Sequence, residues 1–383
     1  MSRFITHFAA RVTVGSIGVL GIALLGGCEP GHKQTTQVGY RGAGLDQIVD
    51  VRHMVKTAAI PPAPYPLPAD GGPKASESYK NVQVLGGVST ERFNHLMAEI
   101  NQWIAPPEQG CNYCHNPENM ASDEKYTKVV ARKMLQMTQN INSKWSAHVK
   151  QVGVTCYTCH RGNAVPANKW ANLPDTPHPN SILGNKFGQN TPNPEVAYAS
   201  LPSNMYADYL NGGNNIRVAS DDEHPSANHV VSIKTAEKTY GLMMHLSTAL
   251  GVNCTYCHNT QSFRAWNLSR PQRATAWYGI RMVRDTNVNY IGTLQSVFPA
   301  YRKGPQGDPY KVNCTTCHQG QSKPLAGQSM MDQAPALWGP TPASMPAPAA
   351  APAARPQEDP AASTGAGPVP LAYNVAPAMI GHK

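Results

Sequence analysis

Three things are scarce in this chain, and each scarcity excludes something. No run of five Lys or Arg occurs although the formal net charge is +9, so the basic residues read as a scattered, solvated surface and not as a nucleic-acid footprint. The apolar run Val12–Leu25 covers 14 residues, short of the ~20 that a spanning helix needs. Charged residues make up only 14% and aromatics 7% of 383 residues. The length suffices for two compact units, but side chains alone give them a modest store of core-filling bulk.

Against this background one pattern recurs. Cys111-Asn-Tyr-Cys114-His115, Cys156-Tyr-Thr-Cys159-His160, Cys254-Thr-Tyr-Cys257-His258 and Cys314-Thr-Thr-Cys317-His318 consume eight of the nine cysteines. Cys-x-x-Cys-His reads as c-type haem attachment: the two thiols form thioethers to the porphyrin, and the adjacent histidine is the proximal iron ligand. A zinc ribbon pairs two Cys-x-x-Cys knuckles and has no use for four such histidines, and disulfide scaffolds are short chains. Four covalently attached c-type haems are therefore expected, and the macrocycles supply the apolar bulk that the side chains lack.

The ninth cysteine bears on location. Arg3 and Arg11 precede the apolar run, which ends in Leu25-Gly26-Gly27-Cys28. This reads as a lipoprotein signal over 1–27, cleaved before Cys28, whose acyl chains anchor the protein at the membrane surface on the periplasmic side. Loss of Arg3 and Arg11 leaves a net charge of +7.

The chain also repeats itself. Tyr113-Cys-His-Asn116 matches Tyr256-Cys-His-Asn259, and Thr158-Cys-His-Arg-Gly162 matches Thr316-Cys-His-Gln-Gly320. Upstream, Leu96-Met97 corresponds to Leu242-Met243, and Arg132-Lys-Met134 to Ile280-Arg-Met282. The expected fold is mainly α with much irregular structure, a multihaem cytochrome c built from two duplicated dihaem halves. Its divisions are an N-terminal arm (28–88), a first half (89–165), a connecting segment (166–231) that wraps one half onto the other, a second half (232–325), and a Pro/Ala-rich disordered tail (326–383).

Sixth ligands decide whether a haem carries electrons or does chemistry. Ser89-Thr90 opens a helix with Phe93, Leu96, Met97, Ile100, Trp103 and Ile104 on one face, ended by Pro106-Pro107. Met97 on that face precedes Cys111. Met243, with adjacent Met244 as competitor, precedes Cys254. In a helix opened by Ser122-Asp123-Glu124, Met134 precedes Cys156 and Met137 competes. For the fourth haem the residues alone leave two candidates, Met282 by duplication and His148 crossing from the first half. His95, His224, His229 and His245 have no claim beyond proximity.

These motifs, with Arg132-Lys-Met-Leu-Gln-Met-Thr, Gly241-Leu-Met-Met-His and Thr275-Ala-Trp-Tyr-Gly-Ile-Arg-Met-Val-Arg, resemble the tetrahaem cytochrome subunit of purple-bacterial photosynthetic reaction centres. The resemblance runs from Cys28 to about residue 325. It implies His/Met ligation by Met97, Met134 and Met243 at the first three haems, and His/His ligation by His318 and His148 at the fourth. It also implies the function: an electron carrier, not an enzyme, that re-reduces the photo-oxidised bacteriochlorophyll special pair. The implied partners are the reaction-centre membrane subunits and a soluble donor, a small cytochrome c or a high-potential iron–sulfur protein. Two other readings are a multihaem reductase, which needs a haem without a sixth ligand, and a stand-alone periplasmic electron carrier.

Overall fold

In the computed structural model the described residues are 32–37, 46–51, 58–174, 186–214, 216 and 232–339. The segment 1–27 expected to be a signal, the expected anchor Cys28 and the chain from 340 onward lie outside them. The architecture is mainly helical with much irregular structure. Two small antiparallel pairings supply the strands: β1 (Lys33–Gln37) with β2 (Asp46–Asp50), and β3 (Lys169–Trp170) with β4 (Lys311–Val312). Among the described residues no helix is long and apolar enough to cross a membrane.

The helices run α1 (Ala75–Ser78), α2 (Thr90–Ile104), α3 (Tyr126–Lys144), α4 (Ser146–Val149), α5 (Cys156–His160), α6 (Ile233–Leu250), α7 (Pro271–Thr286) and α8 (Cys314–His318). Helix α2 starts and stops where the sequence predicts. Its C-terminal cap is Ala105, because the residue before a proline is driven out of the helical region. Ser89 occupies the N-cap position, yet its hydroxyl makes no capping bond. Helix α3 begins at Tyr126 with Lys125 as its N-cap, not at Ser122-Asp123-Glu124. The Asp123 carboxylate is drawn instead to Arg132 at 2.9 Å and to Asn81 at 2.9 Å, contacts that hold it at a pKa of about 2.

Two apolar cores form. One contains Leu85, Leu96, Trp103, Cys156, Leu325, Met330, Met331, Ala334 and Leu337. The other contains Ile141, Trp170, Val196, Met205, Tyr206, Tyr209, Leu210, Leu242, Ile280, Met282 and Val283. Each core takes in chain from outside the two expected halves. The described part of the connecting segment fills the second core with Val196, Met205, Tyr206, Tyr209 and Leu210. The first core is completed by Met330, Met331 and Leu337, each at most 3% exposed. The packed chain thus runs to residue 339, and placing 326–339 with the disordered tail is corrected: a Met-Met pair and Leu337 are buried apolar surface, not solvated linker.

A repeated amide bridge ties these segments in. Asn142, 2% exposed, donates from Nδ2 to Val154 O (2.9 Å) and Leu337 O (2.8 Å), and its Oδ1 accepts from Val154 N (2.7 Å). Asn287, fully buried, donates to Leu210 O (2.8 Å) and Val312 O (2.9 Å), and accepts from Val312 N (2.9 Å). In both cases the bracketed valine stands two residues before a motif cysteine.

Candidate functional site

The four motifs adopt two conformations in alternation. The first and third lie on single 3-10 turns, Gly110–Tyr113 and Cys254–Tyr256. The second and fourth are the short helices α5 and α8. The motif's own threonine starts each of those: Thr158 Oγ1 accepts from Thr155 N at 3.0 Å, and Thr316 Oγ1 accepts from Asn313 N at 2.9 Å. Both helices end on a left-handed residue, Arg161 and Gln319 at φ 51°, followed by Gly162 and Gly320 at φ 81°. That region costs a side-chain-bearing residue about 1–2 kcal/mol. The turn brings a backbone carbonyl back to the histidine, and lets Gly162 N donate to Trp103 O on α2 (3.0 Å) and Gly320 N to Ala249 O on α6 (2.8 Å).

All four motif histidines are pinned through Nδ1. Met120 O lies 3.2 Å from His115, Asn163 O 2.8 Å from His160, Phe263 O 2.9 Å from His258 and Gln321 O 2.8 Å from His318. A carbonyl only accepts, so Nδ1 carries a proton in every ring, which leaves Nε2 as the nitrogen that can ligate a metal. Burial lowers the pKa of His160 and His258, and pushes His318 down to about 4. Burial thus favours the neutral form of those three rings, the form that ligates a metal.

A fifth histidine is prepared in the same way. His148, on α4, donates from Nδ1 to Thr275 O on α7 at 2.9 Å, and burial lowers its pKa. Its ring centroid lies 6.1 Å from that of His318, at an interplanar angle of 68°. Metal–imidazole bonds of about 2.0 Å on either side of one ion set two ring centroids roughly 6 Å apart. The 6.1 Å separation of the pair matches that spacing. Gly279 permits the approach, since a Cβ there would meet His148 Cε1 at 2.5 Å.

The methionines divide by surroundings. Leu96 and Leu242 are buried at 1% and 0% exposure, and Met97 and Met243 follow them at the edges of the two cores. The correspondence read from sequence therefore holds in packing, while Met244 joins neither core. Met282 is core, 8% exposed, and Met137 packs against the same cluster, whereas Met134 belongs to neither.

Among the cysteines, burial pushes Cys156 and Cys314 up to about 12 and Cys257 up to about 11, and raises Cys114. Such groups stay protonated thiols and make poor nucleophiles. Cys111 and Cys254 are exposed. The sulfurs of Cys159 and Cys317 are in direct contact across 158 residues of sequence, so the second and fourth motifs sit back to back. Haem attachment and a cross-link are alternative uses of those two sulfurs. Among the described residues no group of three His, Cys, Asp or Glu could hold a separate metal ion.

Two buried polar groups stand out: His245, to which the sequence assigns no role beyond proximity, and Glu99, to which it assigns none. His245, 4% exposed, pairs through Nδ1 with Tyr206 Oη at 2.6 Å, and its Nε2 has no partner. Glu99 is fully buried, neither carboxyl oxygen is hydrogen-bonded, its Oε1 lies 3.9 Å from His95 Nε2, and desolvation raises its pKa to about 7. The signal was their position, each two residues after a candidate methionine.

Residues 29–338 match the family described as photosynthetic reaction centre cytochrome C subunit. A photosynthetic reaction center cytochrome c subunit of Rubrivivax gelatinosus is 48% identical over 341 residues, 88% of this chain and 92% of the relative. One from Thermochromatium tepidum is 45% identical over 352 residues, covering 89% and 86%. One from Roseobacter denitrificans is 39% identical over 345 residues, covering 84% and 91%.

Proposed function

Because the chain belongs to the photosynthetic reaction centre cytochrome c subunit family, we propose that it carries four covalent c-type haems and re-reduces the photo-oxidised bacteriochlorophyll special pair. The observation that carries the reading is the set of five imidazoles with Nδ1 donating to a backbone carbonyl. They match four proximal ligands and one distal ligand. The alternating conformations of the motifs and the paired Asn142 and Asn287 bridges support two duplicated dihaem halves, 89–165 and 232–325.

Bound haem supplies reversible one-electron chemistry at iron. The eight motif cysteines would hold the four macrocycles, and His115, His160, His258 and His318 would present Nε2 to the metals. Met97, Met134 and Met243 would offer sulfur to the first three, and His148 would offer nitrogen to the fourth. With a histidine and a second ligand residue available for each haem, this residue set would favour electron transfer over reductase chemistry. Thioether sulfur raises a haem's potential relative to a second imidazole, so the axial set spreads the potentials.

The cleaved signal and Cys28 anchor place the protein on the periplasmic face of the photosynthetic membrane, where a soluble cytochrome c or high-potential iron–sulfur protein refills it. Deleting the chain tests the assignment. Membranes without it are expected to re-reduce the special pair only slowly, and unchanged fast re-reduction would refute the role.

A further inference from the structure

His245 lies on α6, which packs against α8, the helix of the fourth motif. It is close enough to His318 for the two rings to interact electrostatically, and its partner Tyr206 interacts likewise with Cys314. Tyr206 and His245 stack edge to face with centroids 4.7 Å apart. The 2.6 Å contact between Tyr206 Oη and His245 Nδ1 admits two proton arrangements. If Nδ1 donates, the Tyr206 hydroxyl proton and the Nε2 lone pair are both left without partners. If Tyr206 donates, one group alone is left over, the Nε2–H. Buried polar groups are paired in folded proteins, so the second arrangement is preferred, and it leaves a fixed N–H donor in need of an acceptor. The polar groups of a haem are its carboxylates. The same helical position in the first half, two residues after Met97, holds Glu99, also buried and without a hydrogen bond to either carboxyl oxygen.

We infer that His245, oriented by Tyr206, donates a hydrogen bond from Nε2 to a propionate of the haem attached at Cys314 and Cys317. This rests on the haem-binding reading above. The bond draws negative charge away from the iron's surroundings, and its removal favours the oxidised state. His245 is a positioning and tuning residue, not a ligand.

The test is a redox titration with resonance Raman spectra of the full-length protein carrying His245→Phe, His245→Gln or Tyr206→Phe. Intact mass under denaturing conditions counts the haems first, and the fourth haem is identified as the one whose midpoint moves in His148→Met. With four haems present, His245→Phe is expected to lower the midpoint of that haem and shift its propionate-sensitive bands. His245→Gln, which keeps an N–H donor, should restore much of the effect, and Tyr206→Phe should give a smaller change in the same direction. Unchanged midpoints and bands in both His245→Phe and Tyr206→Phe, or a change confined to the third haem beside Met243, would overturn the inference. Fewer than four haems in the unsubstituted protein would instead refute the reading on which it rests.

Discussion

A methyl group placed on Gly279 would lie 2.5 Å from Cε1 and 2.8 Å from Nδ1 of His148. The absence of a side chain at that point on α7 thus lets the imidazole reach Thr275 O and stand opposite His318. Gly279→Ala is expected to push His148 off this position at a cost of about 1–3 kcal/mol, the range for overpacking a filled site. One of four haems should then lose its six-coordinate low-spin absorption. An unchanged spectrum would separate His148 from ligation.

Replacing the ring itself makes the complementary change. His148→Met exchanges imidazole for thioether and is expected to raise one midpoint while leaving the other three in place. Four unchanged midpoints in a redox titration would contradict the assignment.

Met282 provides the control. It is 8% exposed and lies within the apolar core beside Ile280 and Val283. Met282→Leu conserves volume, so it should cost less than about 1.5 kcal/mol and leave all four haem spectra intact. Loss of a low-spin haem would move the ligand from His148 to Met282.

The C-terminal stretch separates packing from composition. A chain ending at residue 339 keeps Met330, Met331 and Leu337 in the first core and Leu337 O on Asn142. A chain ending at 325 loses three buried side chains worth about 1.5–3 kcal/mol each. The longer form is expected to melt with the full-length protein, and the shorter to be destabilised by about 5 kcal/mol on the same scale. Equal melting temperatures would mean that 326–339 contributes no stability.

Much of this was legible in the sequence because covalent attachment fixes a local spacing. Cys-x-x-Cys-His announces itself in five residues, Pro106 stops α2 by local sterics, and Leu96-Met97 and Leu242-Met243 repeat within continuous helices. What escaped depends on partners far along the chain. Asn142 and Asn287 look like polar residues at helix ends until the backbone of Leu337 or Leu210 closes around them. Residues 326–339 precede a Pro/Ala-rich run whose composition masks the apolar Met330, Met331 and Leu337. The start of α3 was misplaced because Asp123, a good N-cap by type, is engaged by Arg132. His148 and Gly279 are brought together by tertiary structure alone.

The most direct test is flash spectroscopy on native membranes poised with the high-potential haems reduced. A c-type α-band is expected to bleach in step with recovery of the special-pair cation. Recovery of the cation without any haem oxidation under that poise would contradict the proposed role.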